Sequence, residues 1–448
     1  MTAWVRRFAT LACLAAALAT HAAPIDLSPV VQTATPVTLP AHWQHGAFME
    51  IFVRAYQDSD GDGIGDLRGL TGRLDYLKSL GIKGLWLMPI QKNADGDHGY
   101  ATVDYRAASH PLFEAARSDP ASPWRDGYVW SDTAPEGWDI WGKNPWYWVG
   151  GGNPPWMFKG EMKDLPESRA LTKRLQDLIK SYPNRFVVCE ATAEPQAYGD
   201  PAVCGGAFAF GYVQHFVGAA QGKTESVVKL AEYYRSASPT MATFLSNHDI
   251  FAGRRLWDQV DGDVARYKLA AAGYLLQPGT PFIYYGEEVG QAGAAGLDKD
   301  QPLRAPMSWT ADVRGGGFTR GTPFRPIAPN VATNNVQAQA RDPDSILNFY
   351  KAMLALRNTR PSIARGSFEH SFADGLVLGF ERALGHERTL VLINYGTATA
   401  EAKVADLPPH ARLRAAYPRW GAGAMADAGG GATLMLAPQS VRVLDVRR

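Results

Sequence analysis

The sequence predicts an α/β fold of alternating strands and helices, followed by a small antiparallel β domain at the carboxyl end. Two apolar segments, residues 186–190 and 241–249, each end in an acidic residue. That pattern is typical of parallel strands that carry chemistry at their carboxyl ends. Residues 48–89 have the pattern of a strand, a helix and a strand, which is the βαβ unit of such a sheet. From residue 366 onward, short β-type runs alternate with turn residues.

The first 23 residues predict a secretory signal. Arg6 and Arg7 precede an apolar run over residues 8–19, and small residues suited to cleavage follow. The alternative is a frayed amphipathic helix. We therefore expect a secreted or periplasmic protein. We expect no membrane attachment after cleavage, because no other stretch has the length and polarity of a membrane span.

An acidic, glycine-rich loop follows the first predicted strand, residues 48–54. Its carboxylates alternate along the chain, so they can turn inward around a hard cation such as Ca²⁺. The candidate ligands are the carboxylates of Asp58, Asp60, Asp62 and Asp66 and the backbone carbonyl of Ile64. The loop begins like an EF-hand but lacks the final bidentate glutamate of that motif. We expect a structural calcium loop of another kind, with a solvated acidic turn as the alternative.

The other elements follow from apolar periodicity and from the glycines and prolines between the periodic segments. The predicted helices are residues 70–80, 167–181, 226–236, 265–276 and 345–358. The predicted strands of the α/β part are residues 48–54, 83–89, 186–190, 207–212, 241–249 and 280–288. Glu287 and Glu288, at the end of the last of these strands, are expected to cap a loop rather than to catalyse. The β runs of the carboxyl-terminal domain are residues 376–380, 389–394 and 441–445, and residues 421–432 are expected to be a loop.

Composition excludes some partners. The chain has 45 Lys and Arg against 44 Asp and Glu, which argues against nucleic acid or an anionic membrane as a partner. Its 13 Trp indicate a sugar as the ligand, because flat rings stack on sugar faces.

Two cysteines, Cys189 and Cys204, remain after signal removal. They form either a disulfide of an exported protein or two buried thiols.

Several motifs, in a fixed order, resemble the α-amylase family, glycoside hydrolase family 13. They are residues 51–54, 58–66, 74–77, 85–89 and 98–100, the pair Asp104 and Tyr105, then Glu190, and finally residues 247–249. The resemblance implies a (β/α)8-type TIM barrel with a small carboxyl-terminal antiparallel β domain. It also implies retaining hydrolysis of α-glucosidic bonds in starch-like or malto-oligosaccharide substrates.

The resemblance also implies roles for five residues. Glu190 matches the general acid/base, and Asp249 matches the stabiliser of the transition state. His248 matches a ligand of a substrate hydroxyl. Asp97 and Tyr100 match residues that line the subsite of the cleaved sugar.

The sequence departs from the family pattern at two places. Near Arg106 and Ala107, the expected helix and third strand are missing. Near Gly160 and Glu161, the fourth strand is missing, and no Gly-Phe-Arg-x-Asp sequence that would carry the nucleophilic aspartate occurs anywhere in the chain. We therefore expect a barrel truncated to about six readable strands and a site without its nucleophile.

The segment between the two departures is a Trp-rich excursion over the barrel mouth. Some of its rings could stack on a glucan, or they could pack the loop onto the barrel. The predicted domain organisation is a signal at 1–23, the first part of the barrel at 24–106, the excursion at 107–166, the rest of the barrel at 167–365 and the β domain at 366–448.

Three functions remain open. The chain could be an α-glucan hydrolase of this family that has lost two segments and turns over little substrate. It could be a sugar-binding relative without catalysis. It could also be a transglycosylase or hydrolase with a rearranged nucleophile.

Overall fold

The computed structural model describes residues 39–93, 99, 102–108, 166–182, 185–192 and 194–448. The chain divides into two units, Met1–Pro40 and Ala41–Arg448, and the fold below is that of the second. The predicted signal, most of the Trp-rich excursion, Asp97 and Tyr100 lie outside the described residues.

Helices and strands both occur up to residue 365, and the elements that follow are all strands. The strands are β1 (Phe48–Ile51), β2 (Gly84–Leu87), β3 (Gln91–Asn93), β4 (Thr102–Ala108), β5 (Phe282–Tyr284), β6 (Ser367–Asp374), β7 (Val377–Leu384), β8 (Glu387–Asn394), β9 (Ala400–Val404), β10 (Arg412–Tyr417), β11 (Ala424–Met425), β12 (Ala432–Leu436) and β13 (Ser440–Arg447). The α-helices are α1 (Val53–Tyr56), α2 (Leu67–Thr71), α3 (Leu74–Leu80), α4 (Pro166–Lys180), α5 (Pro195–Gly199), α6 (Val213–Ala220), α7 (Thr224–Glu232), α8 (Leu256–Gln259), α9 (Val264–Leu276), α10 (Val336–Gln339), α11 (Ile346–Thr359) and α12 (Pro361–Arg365).

The barrel sheet has six parallel strands in the described part of the chain. β2, β1 and β5 are neighbours in that order. Three more segments extend the sheet beyond β5 through single parallel bridges, which join Thr243 to Pro281, Phe208 to Ala242, and Cys189 to Ala207. From one edge to the other, the order is therefore residues 186–190, 207–212, 241–249, β5, β1 and β2. This confirms the predicted TIM-barrel fold with six readable strands.

The two outermost strands are less buried than the inner ones. Every residue of β1 and β5 is buried, whereas β2 and residues 186–189 are half-buried. Within the described ranges, each outer strand pairs on one side only. The third and fourth strands of a closed barrel would lie between these two edges, so both sequence departures fall on the open side.

Aromatic rings fill the interior of the curved sheet. Each of the six parallel segments contributes at least one ring, and the layer includes Phe48, Trp86, Phe186, Phe208, Phe210, Phe244 and Phe282. The ring of Phe282 lies 5.1 Å from Phe48 and 4.9 Å from Phe208, measured between centroids. Gly84 faces Phe48 in register, and a Cβ there would lie 2.3 Å from the Phe48 ring, so glycine makes room for this layer. The barrel is a packed core rather than a pore.

The outer helices begin at side-chain caps. Asp263 accepts hydrogen bonds from the amides of Ala265 and Arg266 and starts α9, whose last ten residues are almost all buried. Ser345 accepts from the amide of Asn348 and starts α11. These caps satisfy amides that have no partner within the helix, and they place both helices within a residue of the predicted positions.

Two predicted elements differ in detail. The first strand ends at Ile51, because the carbonyl of Arg54 accepts the amide of Gly65 and the chain turns into α1. The helix predicted over residues 70–80 is two short helices, α2 and α3, with Gly72 closing the first. Both differences occur next to the acidic loop in the sequence. The long-range contacts of that loop, rather than the local sequence pattern, determine where these elements end.

The carboxyl-terminal part is an antiparallel β domain, as predicted. Its six-stranded sheet has the order β11-β10-β13-β8-β7-β6, and β12 pairs with β9 beside it. The three predicted runs correspond to β7, β8 and β13. The expected loop over residues 421–432 contains the short strand β11, because Ala424 and Met425 pair with β10.

A buried arginine of this domain contacts the barrel, next to a second buried arginine that belongs to the barrel itself. Arg382 of β7 donates to the carbonyl of Leu276 at 3.0 Å and to that of Gly366 at 2.8 Å. Arg357 of α11 donates to the carbonyl of Leu275 at 3.0 Å. Burial lowers the pKa of Arg357 to about 10 and that of Arg382 to about 9. The two guanidinium groups thus satisfy carbonyls at the end of α9.

Candidate active site

The strand segment of residues 241–249 ends in three polar residues, Asn247, His248 and Asp249, at the carboxyl edge of the sheet. The Asn247 side chain accepts the amide of Asp249 at 2.9 Å and turns the chain there. The backbone carbonyl of His248 accepts Nε of Arg304 at 3.0 Å. His248 is buried, and the Asp249 side chain is 26% exposed. Asp249 is therefore the member of the group that reaches solvent.

His248 connects the segment of residues 241–249 to strand β1. Its Nδ1 lies 2.5 Å from Oε1 of Glu50, and its Nε2 lies 3.4 Å from Oδ2 of Asp249. The edge of its ring meets Trp86, with centroids 5.8 Å apart. The imidazole is thus held between two carboxylates and an aromatic face.

Burial and mutual attraction set the charges of this group. Burial alone would lower the pKa of His248, but the carboxylate of Glu50 and its hydrogen bond more than offset this and raise it. Burial raises the pKa of the Glu50 carboxyl, although His248 pulls it down. Glu50 and His248 thus form a buried carboxylate–imidazole pair in which the titration of each group depends on the other.

Arg304 supports Asp249. Its Nη2 lies 3.1 Å from Oδ1 of Asp249 and 3.4 Å from Oδ2 of Asp300. Asp300 also accepts the amide of Ile250 at 2.7 Å. The guanidinium is buried, and both carboxylates lie within ion-pair distance of it.

Glu190 lies at the free edge of the sheet. It follows Cys189, which forms a disulfide with Cys204. Of the two alternatives that the sequence left open for these cysteines, the structure has the disulfide. Glu190 reaches solvent, yet partial burial raises the pKa of its carboxyl. The negative charges of Asp249 and Glu50 raise that pKa further, and His248 opposes them.

The structure thus brings Glu190, His248 and Asp249 to one end of the sheet, where their charges interact. Sequence reasoning missed Glu50 and the pairing of Arg304 with Asp249. A lone acid inside the apolar first strand was the available signal for Glu50, since burying a carboxylate without a partner is costly.

The acidic loop brings carboxylates together. Oxygens of Asp58, Asp60 and Asp66 lie within 4.8 Å of one another. The Asp58 carboxylate also accepts three backbone amides and the hydroxyl of Thr319. Burial would raise the pKa of Asp58, but these hydrogen bonds outweigh it and lower that pKa. Because all the donor atoms are oxygens and the carboxylates converge, the residues fit a hard cation such as Ca²⁺.

Glu287 and Glu288 are buried and bonded to tyrosines. Glu287 accepts the hydroxyls of Tyr274 at 2.7 Å and Tyr350 at 2.8 Å, and Glu288 accepts that of Tyr76 at 2.9 Å. Burial raises the pKa of each carboxyl to about 7. Their contacts belong to the barrel core, whereas the sequence predicted that they cap a loop.

Among the helices that the structure describes, none combines the length and the apolar character that crossing a membrane requires.

Comparison with known proteins gives consistent results. The family model for the alpha amylase catalytic domain matches residues 50–111 and 157–366. The chain is 28% identical to trehalose synthase/amylase TreS of Mycobacterium tuberculosis, over 74% of this chain and 77% of that protein. It is 27% identical to alpha-amylase 3 of Dictyoglomus thermophilum, over 79% and 85% of the two chains.

Solved structures share the fold. The alpha-amylase from H. orenii superposes with a TM-score of 0.68 at 24% identity, covering 90% of this chain and all of that one. The isomaltulose synthase from Erwinia rhapontici NX5 gives a TM-score of 0.67 at 19% identity, covering 92% and 100%.

The alignments also measure what this chain lacks. The match to TreS extends over 465 positions, but 74% of this 448-residue chain is about 330 residues. About 130 positions of the relative therefore have no counterpart here. The family-model match is itself interrupted between residues 111 and 157, within the Trp-rich excursion. With more than half of its length matched to the catalytic-domain model, this chain belongs to the α-amylase family, glycoside hydrolase family 13.

Proposed function

We propose that this chain binds α-glucosides of the starch or malto-oligosaccharide type and cleaves their α-glucosidic bonds slowly at best. The observation that carries the proposal is the grouping of Glu190, His248 and Asp249 at the carboxyl end of the sheet. Active sites of TIM barrels lie at that end.

Each residue has a role that suits its surroundings. Glu190 is the general acid, because its raised pKa keeps a proton available for the leaving oxygen. Asp249 lies beside Arg304 and stabilises positive charge that develops on the sugar ring. His248 presents Nε2 toward the same space and binds a substrate hydroxyl.

The missing step is nucleophilic attack. A retaining glycosidase forms a glycosyl-enzyme bond through a second carboxylate, about 5–5.5 Å from the acid/base. The strand that carries this carboxylate in the family is one of the two that the sequence lacks, and its place is beside the half-buried edge at residues 186–189. Direct attack by water is the remaining route, and we expect it to be slow.

Transfer to another sugar is the second candidate. Relatives include proteins named trehalose synthase and isomaltulose synthase. A transfer that proceeds through a glycosyl-enzyme uses the same nucleophile. The absent strand therefore weakens transfer and hydrolysis alike, and binding without turnover is the third candidate.

We also propose that the acidic loop of Asp58, Asp60, Asp62, Asp66 and the Ile64 carbonyl holds Ca²⁺. The ion would neutralise converging carboxylates and tie the loop to the barrel. The protein would act outside the cytoplasm, and the Cys189–Cys204 disulfide supports this, because such bonds persist in oxidising compartments.

Two measurements on the full chain test the function. The first is hydrolysis of 4-nitrophenyl α-glucoside, and the second is calorimetric titration with maltotetraose. We expect binding with little hydrolysis, and a Glu190→Gln variant that removes what hydrolysis there is. Glu194→Gln serves as the control, because Glu194 is an exposed glutamate four residues further on.

Two outcomes would contradict the proposal. Rapid hydrolysis that Glu190→Gln abolishes would show that another residue supplies the nucleophile. Absence of both binding and hydrolysis would reject α-glucosides as ligands.

A further inference from the structure

Glu50 is the buried carboxylate at the centre of the site that no motif predicted. It is the third residue of β1, and its partners in register are Trp86 of β2 and Tyr284 of β5. It therefore points to the same side of the sheet as Phe48, two residues closer to the carboxyl end. The aromatic layer lies below it and His248 beside it.

In the described part of the chain, the side chain of Glu50 forms one close contact with another polar side chain, that of His248. Its side chain is 2% exposed, and Oε1 lies 2.5 Å from Nδ1 of His248. The other charged groups near it are Asp249, Arg255 and Glu190, and Tyr284 faces it from β5. A buried carboxylate is stable only when it is paired, and His248 is the group that pairs with it here.

We propose that Glu50 is a positioning residue that fixes the proton on Nδ1 of His248 and thereby presents Nε2 to the substrate and to Asp249. A histidine ring can carry its neutral-state proton on either nitrogen, and the hydrogen bond of one nitrogen decides the state of the other. With Nδ1–H directed at Glu50, the nitrogen that gains or loses a proton is Nε2.

The geometry around the ring supports this role. The backbone of His248 is held by Arg304, and its ring lies edge-on to Trp86. Glu50 thus supplies the short hydrogen bond at Nδ1, the ring nitrogen that faces away from Asp249. The charge of the Glu50 carboxylate also raises the pKa of His248, with Asp249 acting in the same direction and Arg304 against it.

The titration of His248 tests the proposal without any substrate. In protein labelled with ¹⁵N-histidine, long-range ¹H–¹⁵N correlations report which ring nitrogen carries the proton, and a His248→Gln variant assigns the signals. We expect the Nδ1–H form above the titration midpoint in the unaltered protein, and a midpoint at lower pH in Glu50→Gln. A neutral His248 with its proton on Nε2 would overturn the proposal, and so would an unchanged midpoint in the variant.

A matched control separates this role from a structural one. Glu381→Gln removes an equally buried carboxylate from β7, where Glu381 pairs with Arg388. It should leave the His248 midpoint in place. If Glu50→Gln does not fold, the protonation state of the unaltered protein decides the question alone.

The consequence for sugar binding rests on the proposed function. Affinity for maltotetraose should change with pH at the His248 midpoint, and Glu50→Gln should move that change to lower pH. Affinity that does not follow the midpoint would refute the link between Glu50 and the ligand. Absence of binding at every pH would reject the proposed function and leave the titration result intact.

Discussion

Removing the Cys189–Cys204 disulfide should loosen the edge strand that carries Glu190. The bond closes a loop over a sequence separation of 15 residues. Loop-closure entropy for that length gives about 3 kcal/mol of stabilisation through the unfolded chain. Within the described region, the strand it anchors has one bridging neighbour, at Ala207, and packs against the aromatic layer through Phe186.

A Cys189→Ala/Cys204→Ala double variant makes the change without a reductant. Urea unfolding should show a lower midpoint, and the loss should approach about 3 kcal/mol if unfolding is cooperative. Hydrogen exchange adds local information. The amide of Phe208, which donates to the carbonyl of Cys189 at 3.0 Å, should lose protection before the amides of α9 do.

Dithiothreitol supplies the control. It should reproduce the effect in the unaltered protein and do nothing to the double variant. The reasoning fails if the double variant unfolds at the same urea concentration and Phe208 keeps its protection. In that case the aromatic layer, rather than the disulfide, holds the edge strand.

Four further outcomes can be measured. Because Glu287 has a pKa of about 7 when folded and about 4.5 when unfolded, its contribution to stability is present below pH 4.5 and is lost as pH rises through 7. Glu287→Gln should therefore flatten the pH dependence of unfolding by up to about 1.4 kcal/mol per pH unit in that window, and an unchanged slope would contradict the assignment. Ca²⁺ should raise the melting temperature, by the equivalent of about 2.7 kcal/mol at a hundredfold excess over Kd, and Asp58→Ala should remove the response. Asp249→Asn should lower the free energy of unfolding in urea by about 1–3 kcal/mol, because the buried charge of Arg304 loses one carboxylate partner and keeps Asp300. An unchanged free energy of unfolding would mean that Asp300 alone is sufficient. Sodium azide should accelerate consumption of α-glucosyl fluoride and yield β-glucosyl azide, because a small anion can occupy the position of the missing carboxylate. Absence of an azide product would show that this position is not accessible to the anion.

Local signals predicted much of the fold. Helices α9 and α11 begin where Asp263 and Ser345 can cap them, and such caps are visible in the sequence. The number of barrel strands was also predictable, because each is a short apolar run bounded by turn residues. The end of β1 was not, since the turn after Ile51 depends on a loop that returns to Arg54.

The candidate site was predictable only in part. Glu190, His248 and Asp249 were found through a family resemblance, and each stands at the end of an apolar run. The pairing of Glu50 with His248 joins residues 198 positions apart, so no local pattern contains it. The ion pair of Arg304 with Asp249 depends on how the loop after β5 folds back, and that is a tertiary property.

The arginines between barrel and β domain have a consequence for how the molecule can be divided. Arg382 belongs to the β domain but completes the hydrogen bonding of Leu276 in α9, and Arg357 does the same for Leu275 from within the barrel. Cutting the chain at residue 366 would leave the Leu276 carbonyl without its arginine and expose apolar residues that pack against the β domain. The barrel and the carboxyl-terminal sheet share one hydrophobic core, so we expect them to unfold together.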